Sequence, residues 1–277
     1  MIRIVFAALA ALCLGATASA EAGPGSGALD PVLAAEGATG AILVRRLSDG
    51  AEWTGGGARV ERRMLPASTF KIANSLIILE TGAIADTDTD LLVWDGVERS
   101  AGWDADQTLR TAFRRSAVWA YQHWAREVGH ERMGELLARL DYGNAEIGGL
   151  EQVDLFWLEG PLQISAREQV DFLQRLHARA LPLSAESQDA VIDIMRHRTG
   201  DGWTLFAKTG WAIRTEPNHG WYAGWLEAGE GESAETWLFA VNVDLDWKTG
   251  EGALRERLAH AALVEAGAPA SVHPGTP

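Results

Sequence analysis

Pro66-Ala-Ser-Thr-Phe-Lys-Ile-Ala-Asn-Ser-Leu-Ile-Ile-Leu-Glu80 is the stretch of sequence that decides the fold. Its apolar residues cover nearly every face of a helix, and Gly82 follows as a stop signal. A helix that is apolar all round is buried, so the pattern predicts a central helix with Ser68 at its start. Ser68 and Lys71 are three residues apart, and a helix places both side chains on one face within contact range.

The segments on either side of this helix predict one antiparallel sheet. An Asp49-Gly50 turn separates residues 41–46 from 51–54, which predicts a β-hairpin. The other predicted strands are 203–207, 220–226 and 235–244, and the other predicted helices are 117–128, 132–140, 167–180, 185–195 and 253–266. We expect an α+β fold: a central antiparallel sheet built from the N- and C-terminal segments, flanking helices, and an all-helical lobe at about residues 85–195.

Residues 1–20 have the features of a secretory signal. Arg3 precedes an apolar run at 4–14, and Ala18-Ser19-Ala20 forms a small-residue cleavage site. The apolar run is too short to cross a bilayer core of about 30 Å. Cleavage would also remove Cys13, the single cysteine. We expect a periplasmic protein, free of the membrane after cleavage, in which residues 21–277 form one catalytic domain.

Composition excludes several classes of partner. The formal net charge of −14 makes nucleic acid and anionic membrane surfaces poor partners. The seven histidines form no ligand cluster, which argues against a metal site. A small molecule is the expected partner, and the sequence leaves open whether the protein is a monomer or a homodimer.

Lysine is scarce in this chain, which has three lysines against 21 arginines. Only lysine can lose its proton at accessible pH and act as a base or a reactive amine. Lys71 ends Ser-x-x-Lys and Lys208 begins Lys-Thr-Gly, two signatures of serine enzymes that open β-lactam rings. Lys248 begins a second Lys-Thr-Gly, but it lies in a polar turn, whereas Lys208 continues a predicted strand. We therefore predict that Lys248 is a surface residue.

The pair formed by Ser68 and Lys71 suggests nucleophilic catalysis. A serine hydroxyl is a weak nucleophile until a base removes its proton, and a lysine can do so only when it is neutral. Burial beside Phe70 favours the neutral amine, since desolvation can lower the pKa of a lysine by about 3 to 5 pH units.

Two weaker motifs lie between these signatures. Ser116-Ala117-Val118 stands at the head of a predicted helix, where Ser116 could equally be an N-terminal cap. Tyr142-Gly143-Asn144 could equally be an ordinary turn. The order of the four motifs along the chain is more specific than any one of them.

With these motifs in this order, the chain resembles the class D, or OXA-type, serine β-lactamases. Phe156-Trp157-Leu158-Glu159-Gly160 is similar to the loop that carries the family's tryptophan, and Gly220-Trp221-Tyr222-Ala223-Gly224-Trp225 to the strand that follows Lys-Thr-Gly. Leu254-Arg255 is similar to the start of the family's final helix. The match extends across nearly the whole chain after the signal segment.

The resemblance implies an acyl-enzyme on Ser68 and a Lys71 that is carboxylated by carbon dioxide, with no other cofactor. Val118 and Leu158 would keep Lys71 dry, the Trp157 indole N–H would donate to the carbamate, and Ser116 would relay a proton to the leaving nitrogen. The backbone N–H groups of Ser68 and Trp211 would stabilise the oxyanion. The residues expected to bind substrate are Tyr142, Asn144, Leu158, Lys208, Thr209, Gly210, Trp211 and Arg255.

Some expectations keep an alternative. Arg255 is the expected anchor for the substrate carboxylate, but it could be a helix-surface charge like its neighbour Arg257. Glu159 is expected to be structural. A penicillin sensor that stays acylated, or a cell-wall transpeptidase or carboxypeptidase, could carry the same motifs. The sequence does not reveal which β-lactam classes are hydrolysed, although residues 212–219 would shape that selectivity.

Overall fold

The computed structural model describes residues 25–246, 248 and 251–269, with the side chain of Glu232 left out. The predicted signal segment 1–20 lies outside the described residues, and the division of the chain into signal and catalytic domain stays a prediction. No helix in the described part of the chain is long and apolar enough to span a bilayer.

The centre of the molecule is a six-stranded antiparallel sheet in the order β2-β1-β6-β5-β4-β3. The N-terminal hairpin, β1 (Gly40–Arg46) and β2 (Glu52–Gly55), joins the sheet by pairing β1 with β6 (Glu235–Asp244). The rest of the sheet is a meander of β3 (Arg196–Gly200), β4 (Trp203–Ala212) and β5 (His219–Ala228). The expected α+β class is confirmed, as is the joining of the two ends of the chain in one sheet.

Alternation along β1 divides the core between the two faces of the sheet. Ile42 and Val44 belong to one buried cluster, which also includes residues of α1 (Asp30–Ala35) and α8 (Leu254–Glu265). Ala41 and Leu43 belong to the other. Successive side chains of a strand point to opposite faces, so this strand contributes to both cores.

The larger core contains most of the helices. They are α2 (Lys71–Glu80), α3 (Leu109–Arg115), α4 (Val118–Val128), α5 (His130–Leu140), α6 (Ala166–His177) and α7 (Ala185–Met195). Every residue of α2 from Lys71 to Ile78 is buried. The predicted central helix is therefore confirmed, and it lies in the middle of the larger core.

Two elements differ from the sequence-based expectation. A 3-10 turn, Ala67–Phe70, precedes α2, and its first residue, Ala67, has a left-handed backbone with φ 49°. Strand β4 continues past the predicted 203–207 to Ala212, so the whole Lys-Thr-Gly motif is part of the sheet. Ser68 thus lies on a tight turn, and Lys208 lies on a strand.

Candidate active site

Strand β4 lies directly against the turn that carries Ser68. A Cβ atom built on Gly210 would come within 2.9 Å of the Pro66 carbonyl oxygen and 3.2 Å of the Ser68 backbone nitrogen. These are backbone atoms that cannot move aside, so only glycine fits at this position. Gly210 thereby sets the distance between the sheet and the nucleophile.

Ser68 and Lys71 are already in contact. Lys71 Nζ and Ser68 Oγ form a hydrogen bond of 3.0 Å. The Lys71 side chain is fully buried, and burial lowers its pKa well below the ordinary value, with a further contribution from the nearby charge of Lys208. Because the unprotonated form is favoured, this amine can accept a proton from the serine hydroxyl.

The Lys71 amine lies against an aromatic ring. Lys71 Nζ lies 5.0 Å from the centre of the Tyr121 ring, and the Tyr121 hydroxyl is hydrogen-bonded to Ser75 Oγ at 2.8 Å. Phe70 packs against Trp157 with ring centres 5.5 Å apart. Trp157 is fully buried, and its Nε1 has no hydrogen-bond partner among the described residues. Tyr121 therefore gives Lys71 an apolar neighbour, and Trp157, which packs on the adjacent Phe70, has an unpaired N–H donor.

Ser116 is linked to the Lys-Thr-Gly strand. Lys208 Nζ donates hydrogen bonds to Ser116 Oγ at 3.1 Å and to the Thr209 carbonyl at 2.9 Å. Ser116 ends α3 in a left-handed conformation with φ 58°, and Ala117 stands between it and α4. The alternative that Ser116 is a helix N-terminal cap is therefore wrong. Its strained backbone turns the hydroxyl towards the cleft instead.

A buried lysine and a half-buried arginine lie at the Lys-Thr-Gly strand. Burial, and secondly the charge of Arg255, lower the pKa of Lys208 to about 7. Arg255 donates from its guanidinium to the Gly210 carbonyl at 2.9 Å and stacks 5.6 Å from the centre of the Trp211 ring. Its neighbour Arg257 is exposed and pairs with Glu36. Arg255 is thus held at the site, and the alternative of a plain surface charge fits Arg257.

These groups meet at a cleft of about 420 Å³. Its lining includes eight residues that the sequence identified: Ser68, Ser116, Val118, Leu158, Thr209, Gly210, Trp211 and Arg255. Trp157 and Lys208 are absent from the lining, since both are almost completely buried behind it. Ser68 and the Arg255 guanidinium therefore face one ligand-sized space, and the buried Lys71 amine contacts the nucleophile from behind it.

Comparison with known proteins places this arrangement in a family. The family model described as the penicillin binding protein transpeptidase domain matches residues 39–263. β-Lactamase OXA-48 of Klebsiella pneumoniae is 41% identical over 206 residues, which cover 74% of this chain and 75% of that protein. β-Lactamase OXA-15 of Pseudomonas aeruginosa is 39% identical over 229 residues, 82% of this chain and 79% of its own.

A solved structure agrees with these sequences. The class D β-lactamase YbXI from Nostoc superimposes with a TM-score of 0.82 at 41% identity, covering 87% of this chain and 99% of its own. The chain belongs to the class D β-lactamases. The sensor and transpeptidase alternatives are not favoured by these relatives.

Three residues that line this class D cleft were not predicted individually from the sequence: Trp103, Ile213 and Arg214. Trp103 is fixed through its Nε1, which donates to the Arg115 carbonyl at 2.9 Å, and through its own carbonyl, which accepts from Trp119 Nε1 at 3.0 Å. Nothing local distinguishes it from the other eleven tryptophans. Ile213 and Arg214 fall in the segment 212–219, where only an influence on selectivity was expected.

Glu159 lies at the mouth of the β-lactamase cleft. It forms an ion pair of 2.6 Å with Arg214, and both side chains are exposed. An exposed pair of this kind contributes little stability, about 0 to 1 kcal/mol. The contact agrees with the structural role expected of Glu159, and it connects the loop after Trp157 to the turn after β4.

Two expected substrate-binding residues need correction. Tyr142 is fully buried, where its ring packs against Phe70 and Phe172, and it does not reach the cleft. Asn144 accepts from the Gln163 backbone N–H at 2.9 Å and donates to the Pro161 carbonyl at 2.9 Å. In this structure neither side chain lines the cleft: Tyr142 packs in the aromatic core, and Asn144 holds the backbone after the Trp157 loop.

The two Lys-Thr-Gly motifs differ in the burial of their lysines. Lys248 is exposed, and its backbone N–H donates to Asp246 Oδ1 at 2.9 Å. Lys208, by contrast, is 5% exposed and part of the central sheet. The prediction of a surface position for Lys248 is confirmed.

Proposed function

We propose that this β-lactamase opens β-lactam rings through an acyl-enzyme on Ser68 that water then hydrolyses. The observation that carries the proposal is the 3.0 Å contact between Ser68 Oγ, which lines the cleft, and the fully buried amine of Lys71. Packing of the core does not require a buried amine in contact with the hydroxyl of a residue that lines a cleft. Such a contact is the arrangement that serine nucleophiles require for activation.

Acylation needs the proton of Ser68 to move and the lactam C–N bond to break. Ser68 Oγ gives its proton to the Lys71 side chain and forms a bond to the carbonyl carbon. When the C–N bond breaks, the nitrogen takes a proton from Ser116, which recovers one from Lys208 along their 3.1 Å contact. The product is an ester of Ser68 with a ring-opened nitrogen that carries the new N–H; the Lys71 side chain holds the Ser68 proton, Lys208 has lost one, and exchange with solvent returns both to their starting states. Water later cleaves the ester and restores the hydroxyl.

The charge that develops on the carbonyl oxygen needs backbone donors. We assign the N–H groups of Ser68 and Trp211 to this role, because β4 and the Ser68 turn approach each other at Gly210. In the described part of the chain β3 pairs with β4 only as far as Phe206, so the edge of β4 beyond it has no strand on that side. Preorganised donors of this kind need no rearrangement during the reaction.

The residues around Lys71 fit a carboxylated lysine. The fully buried Trp157 Nε1 has no acceptor among the described residues, and a carbamate oxygen at Lys71 would provide one. A neutral amine is the form that bonds to the carbon of carbon dioxide, with loss of one proton, and burial favours that form. The carboxylated side chain supplies a general base of lower basicity than the free amine, suited to removing protons from Ser68 and from water near neutral pH.

The far end of the cleft suits an anionic substrate. Arg255 and Thr209 line this end with a rigid guanidinium and a hydroxyl, and Lys208 adds a positive charge from its buried position behind the lining. β-Lactams carry a carboxylate on the carbon beside the ring nitrogen, so these three groups would orient the ring over Ser68. Trp211, Leu158 and Val118 supply the apolar remainder of the surface.

Substrate binding should weaken as pH rises through about 7, the pKa to which burial lowers Lys208. Below this pKa the amine is a cation that attracts the substrate carboxylate, and above it the amine is neutral. We expect kcat/KM for an anionic cephalosporin to fall from pH 7 to pH 9. Lys208→Arg keeps its charge in this range, so its profile should be flat. Parallel profiles in the two enzymes would contradict this assignment.

The proposed function is tested by turnover and by its dependence on bicarbonate. Purified enzyme should hydrolyse a chromogenic cephalosporin repeatedly, and its activity should fall when bicarbonate is stripped and return when it is added back. Trp157→Phe keeps a large ring but loses the N–H donor, so it should need more bicarbonate for the same activity. A single stoichiometric burst, or an unchanged bicarbonate requirement in Trp157→Phe, would overturn the proposal.

Export and assembly remain proposals. Residues 1–20 support delivery to the periplasm, because they have the charge, apolar run and small residues of a secretory signal. The structure describes one chain, and monomer or homodimer stays the expectation.

A further inference from the structure

Asn74 is a buried polar residue that the reaction described above does not use. It lies on α2 with an exposed fraction of 0%. Neither its Nδ2 nor its Oδ1 has a hydrogen-bond partner, and among the described residues it is the only one with two such atoms. Buried amide groups are almost always paired, so an unpaired one in the core needs an explanation, and a role at a catalytic site is one of those known.

The position of Asn74 points to Lys71. The two residues are one turn apart on α2, and helical side chains lean towards the N-terminus of their helix, so Asn74 lies on the same face and leans towards the turn that carries Lys71. Ser75, its neighbour, follows the same rule, since its hydroxyl bonds Tyr121, whose ring is 5.0 Å from Lys71 Nζ. The face of α2 around the amine therefore carries one satisfied and one unsatisfied polar side chain.

The unpaired groups near Lys71 have a common chemistry. Asn74 offers N–H donors and a carbonyl acceptor, and Trp157 offers one N–H donor, all fully buried. A carboxylated lysine presents two anionic oxygens and one N–H, which an amide can both donate to and accept from. An apolar side chain at position 74 would pack as well without leaving polar atoms unpaired. The amide of Asn74 is therefore better explained by binding of a polar group than by packing of the core.

We propose that Asn74 is a positioning residue for the carboxylate on Lys71, sharing it with Trp157. The inference rests on the proposed function, because it requires that Lys71 is carboxylated. Asn74 does not touch substrate. It holds the carboxylated side chain in place and lowers the bicarbonate concentration at which that form is populated.

The test is the carboxylation equilibrium itself, followed by the NMR signal of a carbamate carbon during titration with ¹³C-bicarbonate. Asn74→Leu should need at least tenfold more bicarbonate than the wild type to reach half of the maximal signal. Ser75→Ala is the matched control, since it removes a buried hydrogen-bonding group from the same face and should titrate like the wild type. A midpoint for Asn74→Leu within twofold of the wild type would overturn the inference while leaving Lys71 carboxylation intact. Absence of the signal in the wild type would instead overturn carboxylation as such, and the inference with it.

Thermal unfolding separates this role from a structural one. Bicarbonate should raise the Tm of the wild type, because it binds the folded state, and raise that of Asn74→Leu little. Without bicarbonate Asn74→Leu should be at least as stable as the wild type, since it removes two unpaired buried atoms. A lower Tm of Asn74→Leu under both conditions, with the bicarbonate increment kept, would show that Asn74 is structural. Asn74→Asp is a second variant of equal size, in which the added negative charge should prevent the carbamate signal altogether; a wild-type signal from it would contradict the proposal.

Discussion

Lys71→Arg is expected to abolish turnover, with kcat reduced by roughly 10² to 10⁴-fold, the range typical of a lost general base. Arginine stays protonated at every accessible pH, so it can neither take the Ser68 proton nor react with carbon dioxide. Lys71 is fully buried, and this burial lowers its pKa, so the amine can be neutral. A guanidinium in the same place would remain charged. Steady-state hydrolysis of a chromogenic cephalosporin measures the loss.

The chain provides its own control for this exchange. Lys248 begins the same Lys-Thr-Gly tripeptide as Lys208 but is exposed, so Lys248→Arg should leave kcat and KM close to the wild-type values. Circular dichroism and Tm show whether Lys71→Arg is folded, and Lys71→Ala is an uncharged substitute if it is not. Deacylation retained in either variant at position 71 would exclude Lys71 as the base.

Ser68→Ala is expected to eliminate covalent chemistry, with kcat lowered by about 10⁶-fold, as in a serine hydrolase that loses its nucleophile. Mass spectrometry of the enzyme mixed with a slowly hydrolysed β-lactam should show a mass increase of one drug molecule for the wild type and none for Ser68→Ala. The 3.0 Å contact to Lys71 is lost, but a methyl group at this half-buried position disturbs no packing.

Ser75→Ala is the matched serine control for the acylation assay. Ser75 lies on α2 and is hydrogen-bonded to Tyr121 inside the core, so its loss should lower stability slightly and leave the mass adduct intact. An adduct on Ser68→Ala, or its absence from Ser75→Ala at full folding, would show that the nucleophile is another residue.

Local patterns predicted the parts of the site that depend on neighbours in sequence. The apolar run after Lys71 specified a buried helix, and the β-branched and aromatic run before Lys208 specified a strand, because side-chain periodicity and propensity act within a few residues. The left-handed backbone at Ala67 gave no such signal. The turn that contains Ala67 packs against β4, a contact between distant segments that one sequence does not display.

The misplaced residues show the same limit. Tyr142 carries a hydroxyl and resembles a substrate-binding residue in sequence, yet the rings of Phe70 and Phe172 enclose it from two other segments. Trp103 shows the reverse case, since two hydrogen bonds from α3 and α4 hold it at the cleft. Strand β3 was also missed, because its sequence, Arg-His-Arg-Thr-Gly, has no apolar alternation and lies at the edge of the sheet. Each outcome depends on tertiary contacts that one sequence does not display.

The close fit of Gly210 against the Ser68 turn has a consequence for when the enzyme becomes active during folding. The nucleophile precedes the helical lobe in sequence, whereas the strand that faces it follows that lobe. Closing so long a loop is slow compared with forming a helix or a hairpin. Ser68 thus has no facing backbone donors in any partly folded intermediate that lacks β4, and such a species would be chemically silent. Reactivity towards β-lactams is in this sense a late property of the chain, acquired only when its two ends have joined one sheet.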